Sequence, residues 1–352
     1  MKRMRTLAGI SILALVLAAC SSGTTDTAAE ETAAALDDSN CAAAESFCVG
    51  LVTDIGKVDD KSFNQSAHEG AMAAAAEVGG FYKYIETTDT KDYAANMGQF
   101  TDKGYDVIVT VGFLMAEATV TAAKANPNTK FIGVDQFQGE EVANVTGLIF
   151  PEDQAGYGAG YLAGLMTKTN KIGSVLGLEI APVQLFAKGF EAGAKAANAS
   201  VAVTTVYHPP ADNAFGDPVW GAAEAKKQLA QGADIIFGAG GGTGNGALIE
   251  IAKAEGAGTA IFCIGVDTDQ YLTVPEAKAC IVTSAEKKLT LGVSTLVGQA
   301  KAATIKGGNY VGQVGLSPFH DLSSKVPAVV AVRLKKVTTG ILAGSISTGF
   351  KG

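Results

Sequence analysis

Gly104-Tyr105-Asp106-Val107-Ile108-Val109 opens one unit of this chain, and Phe131-Ile132-Gly133-Val134-Asp135-Gln136 closes it. The unit returns as Gly232-Ala233-Asp234-Ile235-Ile236-Phe237, closed by Cys263-Ile264-Gly265-Val266-Asp267-Thr268-Asp269-Gln270. Each copy reads apolar run, small-residue turn, helical stretch, second apolar run, then Gly-Val-Asp. That is strand–helix–strand with an acid just past the second strand. Ligands of parallel α/β sheets bind outside the carboxyl ends of the strands. Asp135 and Asp267 are therefore expected to face one cleft from opposite sides.

Outward from the repeat, apolar runs alternate with helical stretches. Strands are expected at 47–53, 82–85, 145–150, 171–176, 201–206 and 281–283, and a last helix at about 326–342. The alternation gives an α/β protein with two parallel sheets, each covered by helices on both faces. The 352 residues suffice for two cored lobes, and 43 glycines suit tight strand–helix turns. The expected division is 48–145 for the first part of an N-terminal lobe and 146–283 for a C-terminal lobe. Residues 284–320 return to the first lobe, and a tail of 321–352 packs on the second.

The first residues read as an address. Lys2, Arg3 and Arg5 precede an apolar stretch, Thr6–Leu17, too short to span a bilayer. It ends Leu17-Ala18-Ala19-Cys20, which resembles a bacterial lipobox, with Cys20 the lipidated first residue after removal of 1–19. Residues from 20 to 47 then form a tether rich in Ser, Thr, Ala and acid. The expected location is the outer face of the cell membrane, held by lipid.

Without residues 1–19 the chain carries 24 basic against 35 acidic residues, a net charge of −11. That excludes a nucleic-acid footprint. The remaining chain has one arginine, Arg333. Carboxylate and phosphate ligands usually recruit the arginine fork, so a neutral ligand fits better. Cys41, Cys48, Cys263 and Cys280 read as disulfides outside the cytoplasm. Three pairings are open, with near neighbours the simplest; buried free thiols are the alternative. No metal motif is present, and the acids at Asp54, Asp59 and Asp60 lack the EF-hand spacing.

The run Asp54-Ile-Gly-Lys-Val-Asp-Asp-Lys-Ser-Phe-Asn-Gln65 joins the first strand to the first helix. Ser62 and Gln65 have capping-box spacing. Asp59 and Asp60 read as solvated acids favouring the helix dipole. Phe63 either staples the helix to its own lobe or stacks on a planar ligand. Gly238–Gly244 follows a strand and opens a helix, but its spacing fails both the dinucleotide and the P-loop patterns. No hydrolase or protease motif is visible, and no enzyme or cofactor is expected.

The Asp54–Gln65 run resembles the signature of the basic membrane protein family, bacterial substrate-binding lipoproteins of ABC transporters that include purine-nucleoside receptors. Phe131–Gln136, Pro151–Tyr157, Lys188–Gly193, Gly240–Gly246, Gly265–Gln270 and Thr283–Lys287 resemble the family as well, over about residues 48–322. The resemblance implies a periplasmic-binding-protein type I fold, two lobes joined by a three-strand hinge. It implies a base stacked between Phe63 and Phe215, with polar contacts from Asp54, Asn64, Asp135, Asp267 and Lys287. It also implies an ABC permease and ATPase as partners of a monomeric receptor. Ile55, His68 and Ala214 depart from the family's Gly, Trp and Ser; the last bears on base recognition. The alternatives are a receptor of the same fold for a sugar or furanose signal, a sensor serving a membrane kinase, and a nucleoside-cleaving hydrolase.

Overall fold

A computed structural model describes residues 37–350. The leader and Cys20 lie outside the described residues. The chain enters through a bridge between Cys41 and Cys48 and continues into β1 (Cys48–Ile55). Alternation then proceeds through α1 (Phe63–Glu77), β2 (Phe81–Thr87), α2 (Tyr93–Thr101), β3 (Val107–Val111), α3 (Ala116–Ala125), β4 (Lys130–Val134) and β5 (Val145–Ile149). The central strands are almost wholly apolar and buried, as two-sided burial between helices requires.

The second half repeats the pattern. It runs α4 (Glu152–Met166), β6 (Lys171–Leu176), α5 (Ala181–Ala197), β7 (Ala202–Tyr207), α6 (Pro218–Ala230), β8 (Ile235–Ala239) and α7 (Gly241–Ala252). Then come β9 (Phe262–Asp267), α8 (Gln270–Thr273) and β10 (Ile281–Lys287), with Cys263 bridged to Cys280. The chain closes with α9 (Leu289–Lys301), β11 (Gly308–Val311), β12 (Val314–Leu316) and α10 (Ala328–Leu342).

Two six-stranded sheets result, ordered β11-β5-β4-β3-β1-β2 and β12-β10-β9-β8-β6-β7. All pairings are parallel except β10 with β12, so the second sheet is mixed and carries one antiparallel edge strand. Each sheet switches strand order beside its first strand, and the carboxyl ends of both sheets meet.

The chain crosses between the lobes three times, at 149–152, 287–289 and 311–314. These crossings fall later than 145/146 and 283/284. β5 pairs with β4 and so belongs to the first sheet. β10 continues four residues past Thr283 because Ser284, Glu286 and Lys287 are buried inside the protein, although their polarity ends the apolar run. Backbone bonds knit the crossings: Gly312 N–H donates to Ile149 O, and Lys288 N–H to Gln313 O, both at 2.8 Å. The segment after 311 returns to the second lobe, where α10 packs against α4 and Arg333 reaches the Tyr161 hydroxyl.

The start of α1 is not the capping box expected from Ser62 and Gln65. The Asp60 carboxylate caps it, accepting from the backbone N–H groups of Ser62, Asn64 and Gln65 at 2.9–3.1 Å. Gln65 instead bonds Glu69 on the helix surface. Asp60 is thus a partly buried structural acceptor, while Asp59 is exposed as expected.

Candidate functional site

The repeated acids sit at equivalent points. Asp135 follows β4 and Asp267 ends β9, with φ of 60° and 64°. The left-handed backbone is uncommon for residues other than glycine, and Asp is one of the side chains that tolerate it. In both copies a glutamine folds back to brace the turn. Gln136 Nε2 donates to the carbonyls of Thr110 and Gly112, and Gln270 Oε1 accepts from Val266 N–H.

Lys287, the last residue of β10, stands between the two acids and is only 4% exposed. Its ammonium donates to Asp135 Oδ2 at 2.6 Å and lies 3.7 Å from both Asp267 Oδ1 and Glu152 Oε1. Burial alone would push this ammonium toward neutrality; Asp135, Asp267 and Glu152 more than reverse that and hold its pKa above the ordinary lysine value. Burial pushes the Asp267 carboxyl up, with Lys287 pulling the other way. Burial also pushes Glu152 up, to about 8. The closest acid to Lys287 is Asp135, because β10 ends at the crossing and aims its last side chain into the other lobe.

Each repeat acid is held by a side chain from the opposite lobe. Lys287 of the second lobe holds Asp135 of the first. Ser62 Oγ of the first lobe donates to Asp267 Oδ2 of the second at 3.0 Å. The turn around Ser62 fastens further: Lys61 O accepts from Thr273 Oγ1 at 2.7 Å, and Asp60 O from Asn245 Nδ2 at 2.8 Å. The two lobes are closed on each other through this turn.

Between these fastenings lies a cleft of about 310 Å³. Phe63 and Phe215 line it from the first and second lobes respectively. The Lys287 ammonium is 4.7 Å from the centroid of the Phe63 ring, a cation–π contact that anchors the ring. Phe215 lies over Gly177, where a Cβ would come within 2.2 Å of the ring, so only glycine leaves it room. The Phe215 loop is seated on the start of α7, where Thr243 Oγ1 donates to Ala214 O. The Ala214 side chain is fully buried and does not line the cleft. Ile180, Pro182, Val183 and Phe186 add an apolar wall.

Asp54 and Asn64 line the far end. Gly112 has a φ of 122°, and a Cβ there would lie 1.9 Å from Asp54 Oδ2, so the glycine lets the carboxyl tuck beneath the β3 turn. Burial, reinforced by Asp60 and Asp135, raises the Asp54 pKa well above the usual carboxylate range. Asn64 Oδ1 and Asp135 Oδ1 are buried with no hydrogen-bond partner among the described residues. Buried polar atoms are normally paired, so these two are free to engage a bound molecule.

All seven residues singled out from the sequence border this one cleft: Asp54, Phe63 and Asn64 from the first turn, Asp135 and Asp267 from the repeats, with Phe215 and Lys287. Sequence reasoning missed Glu152, Ser62 and the apolar wall. Glu152 looks like an ordinary first-turn acid, and only the burial of both Glu152 and Asp153 in α4 marks it.

A family model described as ABC transporter substrate-binding protein PnrA-like matches residues 47–317. The chain belongs to this PnrA-like family. It is 34% identical to a CD4+ T-cell-stimulating antigen of Listeria innocua, over 96% of this chain and 97% of the relative. It is 31% identical to the ABC transporter nucleoside-binding protein BmpA of Lactococcus lactis, over 86% of this chain and 88% of that one. In fold it resembles a solute-binding protein of an ABC transporter from Aeropyrum pernix, with a TM-score of 0.74 at 24% identity, covering 86% of this chain and 92% of the other. This PnrA-like chain is thus the substrate-binding component of an ABC transporter, a class that works outside the cytoplasm and binds solutes rather than transforming them. Among the described residues no helix is long and apolar enough to cross a membrane.

Proposed function

We propose that this PnrA-like protein binds a purine nucleoside between its lobes and delivers it to the permease, held to the membrane by lipid on Cys20. The observation that carries the reading is the pairing of two different surfaces in one cleft. Two aromatic rings from opposite lobes offer faces to a planar base. Beside them, a buried cluster of Asp135, Asp267 and Lys287 offers acceptors and a donor to vicinal hydroxyls.

The chemistry follows from the donor and acceptor inventory. Ribose hydroxyls donate to the carboxyl oxygens of Asp135 and Asp267 and accept from Lys287. Asp54 and Asn64 meet the edge of the base; a protonated Asp54 donates where a carboxylate could only accept. Among the described residues no arginine lines the cleft, which suits an uncharged ligand. Its volume lies at the small end of the usual range for ligand sites, roughly 300–1,000 Å³. Closure is a hinge movement at the three crossings. The relative from Lactococcus lactis, named as nucleoside-binding, supports the same ligand class.

Calorimetric titration with inosine, guanosine, adenosine, uridine, galactose and xylose tests the reading. Purine nucleosides should bind tightly and the sugars not at all. A sugar that binds as well as the best nucleoside would overturn it in favour of a sugar receptor on the same fold.

A further inference from the structure

We propose that Glu152 is a positioning residue acting through Lys287, holding the one proton of a buried three-carboxyl cluster, and that closure of the lobes depends on that proton. The nucleoside reading enters only in the choice of ligand for the test.

Glu152 is the first residue of α4, immediately past the first crossing, and does not line the cleft. Its side chain is 4% exposed, and those of Lys287, Asp135 and Asp267 are 3%, 6% and 9% exposed. Three carboxyls share a single ammonium there. Full ionisation would leave two excess negative charges out of water, and like charges in one buried site cannot all persist. Asp135 is bonded by Lys287 at 2.6 Å, and Asp267 by Ser62 at 3.0 Å. Beyond its own backbone N–H, Glu152 has only the 3.7 Å approach of Lys287, with no hydrogen bond to its side chain from another residue among the described residues. It is the least supported as an anion and therefore keeps the proton. Its upward shift to about 8 agrees: burial comes first, and repulsion from Asp135 and Asp267 opposes the pull of Lys287.

Closure creates this situation. Lys287, Asp267 and Glu152 belong to the second lobe, whereas Asp135 arrives from the first. Opening removes one repelling carboxylate and readmits water, so Glu152 then holds its proton less tightly. A carboxyl whose pKa rises on closing stabilises the closed form below its open-state pKa, and that stabilisation is lost as pH rises through about 8. Asp54 and Asp60 titrate in the same cleft, so the effect must be read by comparison with a variant that changes Glu152 alone.

Glu152→Gln keeps the shape and the neutral state. Inosine is titrated calorimetrically into wild type and variant at pH 6.5, 7.5 and 8.5, in two buffers of different ionisation enthalpy. Wild type should take up close to one proton at intermediate pH and lose affinity by roughly three- to tenfold per pH unit toward 8.5. The variant should take up correspondingly fewer protons, and its affinity relative to wild type should rise from pH 6.5 to pH 8.5. Identical proton counts and parallel pH profiles would overturn the proposal. Absence of any heat from wild type would instead contradict the nucleoside reading. Thermal unfolding of the free proteins then decides Glu152: the variant should gain on wild type as pH rises from 6 to 9, and parallel curves would overturn the proposal.

Discussion

Lys287 and Asp135 lie 152 residues apart, at the end of β10 in one lobe and the end of β4 in the other, and their side chains meet at 2.6 Å in the floor of the cleft. The bond joins two members of the site that belong to different lobes, one of them at a hinge crossing. Together with Ser62 on Asp267 it makes the ligand site and the lobe interface the same set of side chains. A ligand that engages these acids therefore reports directly to the hinge.

Removing the ammonium leaves three buried carboxyls without a counter-charge. Lys287→Met should abolish nucleoside binding at neutral pH and cost about 3–5 kcal/mol of stability, the usual penalty for orphaning a buried charge. The orphaned carboxyls would have folded pKa values above their unfolded ones. Their stabilising contribution is present at low pH and lost as pH rises, so the variant should be more stable at pH 5 than at pH 8. Wild-type Lys287, raised above its ordinary value, should keep its contribution across that range. Thermal unfolding at the two pH values checks both signs.

The two rings contribute through stacking. Phe63→Ala and Phe215→Ala should each lose about 1–3 kcal/mol of binding, the range measured for base–aromatic stacking. That corresponds to a loss of about five- to 150-fold. Phe63→Leu should recover little, since it keeps apolar area without a π-face. Wild-type affinity in both alanine variants, measured by calorimetry, would exclude the sandwich.

Asp60 caps α1 yet is pushed up to about 6, because burial outweighs the three N–H groups that it accepts from. A carboxyl raised above its unfolded value of about 3.9 favours folding below that value and loses this advantage as pH rises through about 6. Asp60→Asn removes the titration. Its melting temperature relative to wild type should therefore climb between pH 4 and pH 7. Asp60→Ala, lacking any acceptor, should lie about 1 kcal/mol below Asp60→Asn at every pH.

The reading of Cys20 is tested by where the protein goes. Cys20→Ser should release it from membranes into the soluble fraction without altering nucleoside affinity, since the cleft begins at Asp54. Unchanged membrane partition on fractionation would remove the lipid anchor from the proposal.

The α/β alternation and the repeat were legible because buried parallel strands are continuous apolar runs bounded by glycine turns. Asp135 and Asp267 could be placed because each follows such a run. The hinge was harder to read. β10 hides Ser284, Glu286 and Lys287 inside the protein, so the strand reads from its apolar run as ending at Thr283. β11 and β12 are only four and three residues long, and glycines at 307, 308 and 312 interrupt the signal. Asp60 resembled a solvated acid because burial by the opposite lobe leaves no local trace. The same holds for Glu152, whose meaning comes from Lys287, 135 positions away.

The central claim is that buried acids read the ribose, and inosine against hypoxanthine measures it most directly. A site built on buried polar groups rejects a ligand that leaves them unpaired. Calorimetry on wild type should show inosine binding at least a hundredfold more tightly than hypoxanthine, and Asp267→Ala should erase most of that gap. Equal wild-type affinities for nucleoside and free base would contradict the claim.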